Sequence, residues 1–345
     1  MLDWMLRMMI ENGFRGYILP MPNIQPAVLD SFGSVMYEGS ILSSLSKINV
    51  SNIYTRELKF LMTIQLTEST TKEDISGSYA AGVRHIKVYP RDVTTNSELG
   101  ISDYEKIYPM LEWAESLGMF VHFHCEHPSY DVEGKDKENV FFDKILWKIV
   151  NKFPKLKIVV EHISTIMAVQ FVEFWNKNGR NIAATIATPY LILTQDDVIG
   201  YSKESGCKGN MHHLCKPSLK WRADRQAIRE AAVSGKPYFF LGTDTAPHLS
   251  KSKYNLGCAC GNFSTTVTSS IIVSMFEEFG LLDPEKIGYF ASHAGADHFG
   301  LPRLKGTVTL EKWDWTVPEM YEVPGTEDYV VPMCAGWTMP WSIVF

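Results

Sequence analysis

Residues 119–126 read MFVHFHCE, a short apolar run that ends in two histidines and a glutamate. The run is typical of a buried strand, and similar runs recur along the chain with helical patterns between them. We predict strands over 16–21, 60–66, 85–89, 119–124, 157–162, 182–186 and 238–243. Strands that are apolar nearly throughout and alternate with helices predict a parallel sheet covered on both faces.

The helical segments stop at glycines, which favour the left-handed conformation that ends many helices. Residues 103–117 precede Gly118, residues 224–233 precede Gly235, and residues 265–279 precede Gly280. The sequence has no internal repeat and no Pro/Gly/Ser linker. We therefore predict a single domain over residues 1–345, with a C-terminal tail from about residue 305 packed on it.

Polar residues at the ends of five predicted strands distinguish an open sheet from a barrel. They are Asn23, Lys87, His122, His124, Glu126, Glu161, His162, Asp244 and His248. In a (β/α)₈ barrel the carboxyl ends of all strands converge on one face, where active sites lie. A dinucleotide-binding open sheet needs a glycine-rich loop after its first strand, and MPNIQP (21–26) has none. The pattern favours the TIM barrel.

Taken singly, each of these residues has an ordinary structural explanation. A lone histidine at a strand end is usually a hydrogen-bonded rim residue. Lys87 lies in an apolar strand, where a free ammonium is costly, so it needs a carboxylate or a chemical change that removes its charge. Cys258 and Cys260 lack a second pair at zinc-site spacing and are interpreted as loop cysteines. His212 and His213 are expected to be solvated.

Composition excludes several classes of partner. The 345 residues carry a net charge of −6 without a basic block, which argues against nucleic acid and anionic membranes. No apolar run approaches the ~20 residues of a membrane span, and residues 1–9 do not resemble a secretory signal. The six cysteines, Cys207 among them, are too sparse for a disulfide scaffold, so a cytoplasmic location is expected.

Five motifs together identify a family. They are MPN (21–23), KVYP with TTNS (87–97), VHFHCE (121–126), VVEHIS (159–164) and LGTDTAPH (241–248). In this order they resemble the dihydroorotases of the single-function type found in bacteria and fungi, within the amidohydrolase superfamily. Residues 231–248, GCAC (257–260) and the closing GWTMPWSIVF (336–345) extend the resemblance over essentially the whole chain.

The resemblance implies a barrel with two zinc ions that interconverts L-dihydroorotate and N-carbamoyl-L-aspartate in pyrimidine synthesis. By position, Lys87 matches a lysine that reacts with CO₂ to become a metal-bridging carbamate. His124 and His162 match ligands of the more exposed metal, with His122 a less favoured ligand. Asp244 matches the ligand of the more buried metal that also acts as general acid and base.

The resemblance also implies the substrate contacts. Asn23 and His248 match residues that hold the carboxylate of dihydroorotate, and the backbone at Ala259 matches a contact to its ring. Thr94 and Thr95 match a mobile loop that closes over carbamoyl aspartate. Dimers are common among such proteins, so a homodimer is an open expectation.

One family motif has no counterpart in the printed sequence. The family begins with a strand ending in His-x-His-x-Arg, which supplies two ligands to the buried metal and an arginine to the substrate. Without it that metal keeps the Lys87 carbamate and Asp244, so a one-metal site is conceivable. We consider three explanations: a truncated enzyme, a non-catalytic paralogue that acts as a binding or assembly protein, and a rearranged one-metal site. Another cyclic amidohydrolase, an allantoinase or hydantoinase, is a further alternative.

Overall fold

The structure is a computed structural model that describes residues 1–48, 58–201 and 208–344. Cys207 and Phe345, which figure in the sequence analysis, lie outside the described residues. The chain divides into two compact units, each assembled from separate stretches. Unit 1 comprises Met1–Gly16, Ser44–Leu58 and Ile186–Phe345, and unit 2 comprises Tyr17–Ser43 and Lys59–Thr185. The single-domain organisation stays a prediction.

Six of the seven predicted strands are present, most of them slightly shorter than expected. The strands are β1 (Gly16–Ile18), β2 (Leu58–Phe60), β3 (Thr63–Leu66), β4 (His85–Val88), β5 (Phe120–His124), β6 (Lys157–Glu161), β7 (Ile182–Ile186), β8 (Phe239–Leu241), β9 (Thr309–Glu311), β10 (Trp315–Thr316), β11 (Tyr321–Glu322), β12 (Tyr329–Val330), β13 (Thr338–Met339) and β14 (Ser342–Val344). The continuous strand predicted over 60–66 is wrong, because the chain forms β2 and β3 instead. The Leu61 N–H donates to the Ile18 carbonyl, whereas the Gln65 N–H donates to the Val28 carbonyl.

The three helical segments predicted from the sequence, 103–117, 224–233 and 265–279, are present among the described helices. They are α1 (Leu2–Glu11), α2 (Ser31–Lys47), α3 (Lys72–Ala80), α4 (Tyr108–Leu117), α5 (Lys137–Phe141), α6 (Trp147–Lys152), α7 (Ile166–Lys177), α8 (Thr188–Ile192), α9 (Gln195–Ile199), α10 (Arg222–Val233), α11 (Ser250–Tyr254), α12 (Thr268–Glu278), α13 (Pro284–Gly288) and α14 (Ala294–His298). Gly118 ends α4 with φ of +67°, as predicted. Within the described ranges, no helix has both the length and the apolar character that crossing a bilayer requires.

The centre of unit 2 is a parallel sheet in which β3 to β7 follow one another in sequence order. Ile64, Val88 and Phe123 are completely buried in three of these strands. The register sets Lys87 opposite His122 and His124 opposite Glu161. Neighbouring strands therefore carry the predicted site residues at their carboxyl ends.

In unit 1 the C-terminal tail forms antiparallel pairs, β9 with β14, β10 with β13 and β11 with β12. An apolar cluster joins the tail to α1, with Phe263 between Met8 and Val330. The Trp341 indole N–H donates to Glu277 at 3.1 Å and ties the end of the tail to α12. Within unit 1 the tail therefore packs against α1 and α12.

Candidate active site

Three of the four predicted metal ligands lie at the carboxyl ends of consecutive strands in unit 2. Lys87 is near the end of β4, His124 is the last residue of β5, and His162 directly follows β6. Their exposures are 1%, 2% and 6%, respectively. Carboxyl ends of parallel strands share one edge of the sheet, which explains why residues so distant in sequence form one group.

The two histidines of this group are in contact. The ring centroids of His124 and His162 lie 4.7 Å apart in an edge-on arrangement. Burial, followed by the nearby charges of His124 and Lys87, holds the pKa of His162 well below its usual value. His162 is therefore neutral, and its buried Nδ1 has no hydrogen-bond partner among the described residues. A neutral imidazole with an unused ring nitrogen is the form that binds zinc.

Lys87 is among the largest completely buried side chains of the described chain. Its Nζ lies 5.1 Å from the centre of the Tyr89 ring. Burial raises the pKa of Glu161, but the positive charge of Lys87 and a hydrogen bond from His122 outweigh it and hold that pKa well below its usual range. The Lys87 amine thus lies in a buried, low-dielectric setting, where its charge acts on the carboxylate of Glu161.

A buried hydrogen-bonded chain lies beside the predicted ligands. His85 Nδ1 is 3.0 Å from His122 Nε2, and His122 Nδ1 is 2.5 Å from Glu161 Oε1. The Thr185 hydroxyl donates to Glu161 Oε2 at 2.6 Å and accepts from the His162 N–H at 2.6 Å. Both ring nitrogens of His122 are thereby engaged, which explains why it is a poor candidate ligand.

The sequence analysis did not identify His85 and Thr185 as members of this series of hydrogen bonds. One signal was present: His85 precedes Lys87 by two residues, as His122 precedes His124, so each pair shares one face of its strand. These two strand faces lie side by side because of the register between β4 and β5. Sequence alone does not give that register.

The predicted substrate residues of unit 2 are linked to one another. Asn23 Nδ2 donates to the Thr95 carbonyl at 2.8 Å, and Asn96 Nδ2 returns a bond to the Asn23 carbonyl at 2.8 Å. The Thr94 N–H donates to the Ser97 hydroxyl at 3.0 Å. The structure thus joins Asn23 to the predicted lid loop.

Asp244, His248 and Ala259 belong to unit 1. Asp244 follows β8 and is half-buried. His248 Nε2 lies 3.2 Å from the Cys260 carbonyl, and the Ala259 N–H donates to the Ser252 carbonyl at 3.0 Å. Burial, followed by the charge of Lys253, lowers the pKa of His248. The structure therefore places His248 beside the Cys-Ala-Cys loop.

Left-handed backbone conformations coincide with the predicted site. Among the described non-glycine residues with positive φ are His162 at +42° and Asp244 at +48°. Asp92 at +57° and Asn96 at +53° flank Thr94 and Thr95, and Cys334 also has this conformation. Such strain persists where the surrounding structure enforces it, and it is typical of functional sites.

The buried contact of His124 with His162 fits a metal, although the described residues hold no ready-made cluster of metal ligands. Within residues 1–48, 58–201 and 208–344, no three His, Cys, Asp or Glu side chains are grouped to hold a metal ion. The predicted ligand set differs from such a cluster because it includes Lys87, which is none of these four residue types. The unused Nδ1 of His162 is the observation that favours a metal here.

The expectation that His212 and His213 are solvated is wrong. Their exposures are 6% and 2%. They belong to a 3₁₀ turn, Met211–His213, in which the His212 N–H donates to the Asn210 side chain at 2.9 Å. His212 Nε2 then pairs with the Tyr254 hydroxyl at 2.9 Å. Cys258 and Cys260 are half-buried and unbridged, in agreement with their interpretation as loop cysteines.

The profile of the amidohydrolase family matches residues 65–312. The chain therefore belongs to the amidohydrolase family, which implies a divalent metal cofactor. A dihydroorotase of Marinobacter nauticus is 38% identical over 329 residues, which cover 95% of this chain and 90% of that protein.

Solved structures agree with the sequence relatives. A Saccharomyces cerevisiae dihydroorotase in complex with 5-fluoroorotic acid superposes with a TM-score of 0.85 and 29% identity, covering 99% of this chain and 92% of the other. The Campylobacter jejuni dihydroorotase gives 0.81 and 30%, with coverage of 99% and 93%. The resemblance to dihydroorotases is confirmed, and with it the α/β fold class of the metal-dependent amidohydrolases.

Proposed function

We propose that the chain is a dihydroorotase that interconverts L-dihydroorotate and N-carbamoyl-L-aspartate, with the site residues in the roles given below. The observation that carries this assignment is the contact between His124 and neutral His162 at the ends of adjacent strands, beside buried Lys87. Relatives named dihydroorotase over nearly the full chain favour this function over a hydantoinase, an allantoinase or a non-catalytic binding protein.

We propose that His124, His162 and Lys87, the last as a carbamate, would hold zinc, and that Asp244 would supply a further ligand. When bound, the metal lowers the pKa of a water molecule and polarises the amide carbonyl. The side-chain chemistry of Lys87 supports the carbamate. The ammonium first loses one proton, and the neutral amine then adds to CO₂ and releases a second, so that a costly buried cation becomes an anionic oxygen ligand.

Asp244 is proposed as the general acid and base. In the hydrolytic direction it accepts the proton of the attacking water as the new carbon–oxygen bond forms. It then gives that proton to the ring nitrogen as the carbon–nitrogen bond breaks. In cyclisation the same proton moves in the opposite sense, so the residue returns to its starting state in each direction.

Asn23 and His248 are proposed to hold the substrate carboxylate, and the backbone at Ala259 to contact the ring. The bonds from Asn23 to the loop support a coupled role, because a substrate that engages Asn23 also engages the segment carrying Thr94 and Thr95. Closure of that segment excludes water and strengthens the electrostatic interactions inside the site.

The test is turnover of dihydroorotate with zinc and bicarbonate, together with the metal content per chain. We expect at least one zinc per chain and activity that disappears on chelation. Lys87→Ala should lose activity by at least ~10³-fold and lose the carbamate signal in ¹³C NMR with labelled bicarbonate. Exposed Lys59 provides the matched control, Lys59→Ala, which should keep both.

Two results would contradict the proposal in different ways. No turnover in the zinc-loaded protein would overturn the dihydroorotase assignment. Full activity in Lys87→Ala would contradict the proposed carbamate but would leave the proposed reaction standing.

We further propose a small-molecule substrate, a cytoplasmic location and a homodimer. Light scattering tests the homodimer, because it measures the mass of the protein in solution.

A further inference from the structure

Unit 1 contains a cavity of about 760 Å³ that the proposed reaction does not use. Helices α10 and α12 form two of its walls, and residues 337–340 of the tail form another. The proposed reaction residues Asp244, His248 and Ala259 do not line it. The proposed reaction therefore gives no role to this cavity.

Three arginines of one helix line this cavity. Arg222, Arg225 and Arg229 are spaced three and four residues apart on α10, so they lie along one face. Each guanidinium group has five N–H donors, which suit planar oxyanions. A row of three such groups in a concave surface is suited to a negatively charged ligand.

The hydrogen-bond donors of these three arginines are only partly paired with other described residues of the protein. Arg225 Nη1 donates to the Ile192 carbonyl at 2.8 Å, and Arg222 Nη2 lies 3.5 Å from Asp196 Oδ2. Arg229 Nη2 pairs with Glu278, but the buried Nε of Arg229 has no partner among the described residues. An unpaired buried donor costs free energy.

The charged residues that line the cavity are the three arginines and two carboxylates, Asp197 and Glu278. Asp196 lies beside Arg222, and Glu278 pairs with Arg229. The Asp197 carboxylate accepts bonds from the Thr194 N–H at 2.7 Å and the Thr194 hydroxyl at 3.1 Å. Burial, followed by the neighbouring charge of Arg229, lowers the pKa of Arg225. An anion beside Arg225 would offset the repulsion from Arg229.

The remaining lining is largely apolar and includes one aromatic residue. Ile271, Met275, Met339 and Trp337 contribute to the walls. A fully hydrated inorganic ion would leave this surface without a contact, whereas an apolar or aromatic body would cover it. The lining thus favours a ligand with an oxyanion at one end and an apolar ring at the other.

We propose that this cavity is a second ligand site, which binds an oxyanion carried on an aromatic body, with Arg225 and Arg229 as its anion contacts. Aryl phosphates and aryl carboxylates share this chemistry, because the guanidinium fork binds either group through two hydrogen bonds. The site is independent of the reaction residues, so its occupancy does not depend on the assigned activity.

Isothermal titration calorimetry on the zinc-loaded protein tests the site with phenyl phosphate, benzoate and neutral phenol. We expect saturable binding of at least one anion, little or none of phenol, and no competition by dihydroorotate. Arg225→Gln and Arg229→Gln should each weaken binding by at least ~10-fold. Arg225→Lys, which keeps the charge and loses the fork, should be intermediate. Phosphate-only or carboxylate-only binding identifies the natural anion class.

Arg7→Gln is the matched control, because Arg7 is an exposed arginine of α1 that pairs with Glu11 and does not line the cavity. Thermal unfolding without ligand shows that each variant is folded. Three results would overturn the proposal: no saturable binding at millimolar ligand, affinities unchanged in both glutamine variants, or displacement of the anion by dihydroorotate.

Discussion

His124 Nε2 lies 2.7 Å from Glu126 Oε2, and both side chains are buried. A carboxylate accepts hydrogen bonds and does not donate them, so this contact places the imidazole proton on Nε2. A neutral His124 then has its lone pair on Nδ1. A histidine whose second nitrogen is held by a carboxylate is a common arrangement at metal sites, where it fixes the ring and raises its basicity.

Glu126→Gln should therefore weaken the site without removing a ligand. The amide keeps the shape but loses the charge, and we expect zinc affinity and kcat/KM to fall by roughly 10- to 100-fold. Competition with a chromogenic chelator measures the affinity. Glu133→Gln, at an exposed glutamate, is the control and should change neither quantity. Unchanged zinc affinity in Glu126→Gln would show that the contact does not orient His124.

The strand ends could be predicted from sequence because chemistry and pattern coincide there. Lys87, His124 and His162 each follow an apolar run, and the barrel rule brings such positions together. The bond between His122 and Glu161 could not be predicted in the same way. It depends on strand register and on side-chain rotamers, which long-range packing selects and local sequence does not encode.

Burial of the pair His212–His213 was likewise beyond local reasoning. A Gly/Asn-containing segment ordinarily indicates a solvated loop, and the polar sequence around these histidines is consistent with that. The turn is buried because distant residues pair with it: Tyr254 with His212, and the Cys334 N–H with His213 at 3.4 Å. Tertiary contacts therefore decide the outcome against the local pattern.

Asn23→Ala should affect binding and loop closure together. The substitution removes the bond to the Thr95 carbonyl and the acceptor of the Tyr89 hydroxyl, which donates to Asn23 Oδ1 at 2.8 Å. We expect KM for dihydroorotate to rise by about 10-fold or more and kcat to fall, a change of about 1–2 kcal/mol in transition-state binding. Steady-state kinetics separates the two parameters.

Tyr89→Phe separates loop anchoring from direct substrate contact. It removes one bond to Asn23 and leaves the amide in place, so an effect smaller than that of Asn23→Ala is expected. If Tyr89→Phe loses as much activity as Asn23→Ala, the loss in both variants results from a shift of the loop and not from a lost substrate contact. Normal kinetics in Asn23→Ala would contradict the proposed substrate contact altogether.

Gly261→Ala should disturb His248 by direct contact. A Cβ at this position would lie 2.7 Å from Ala246 Cβ, 2.8 Å from the Ala246 carbonyl oxygen and 2.9 Å from His248 Nε2. Since backbone and imidazole must shift to make room, we expect kcat/KM to fall by at least ~10-fold, and thermal stability to fall as overpacking typically causes.

Gly257→Ala is the matched control for that substitution in the same loop. Gly257 has φ of +82°, but no atom lies within 4 Å of its added Cβ. It should lose about 1 kcal/mol of stability from backbone strain and retain its kinetics. Equal kinetic losses in both variants would mean that loop strain, and not displacement of His248, controls activity.

Acid should destabilise the protein in part through His212. Burial, followed by the charges of Lys253 and His213, lowers the pKa of this ring to about 4, whereas an unfolded histidine titrates near ~6.5. Between these values the unfolded chain binds a proton that the folded chain does not. The contribution to stability is therefore fully present above about pH 6.5 and is lost as the pH falls toward 4.

His212→Gln removes this titration. The free energy of unfolding, measured with urea, should fall between pH 7 and pH 5 in both proteins, but by about 1 kcal/mol less in the variant than in the wild type. This difference is smaller than the full linkage value because solvent screens the partly exposed ring. Half-buried His293, in a different segment of the chain, supplies the control, His293→Gln, whose pH dependence should match the wild type. An identical fall in wild type and His212→Gln would show that His212 does not hold its neutral form in the folded protein.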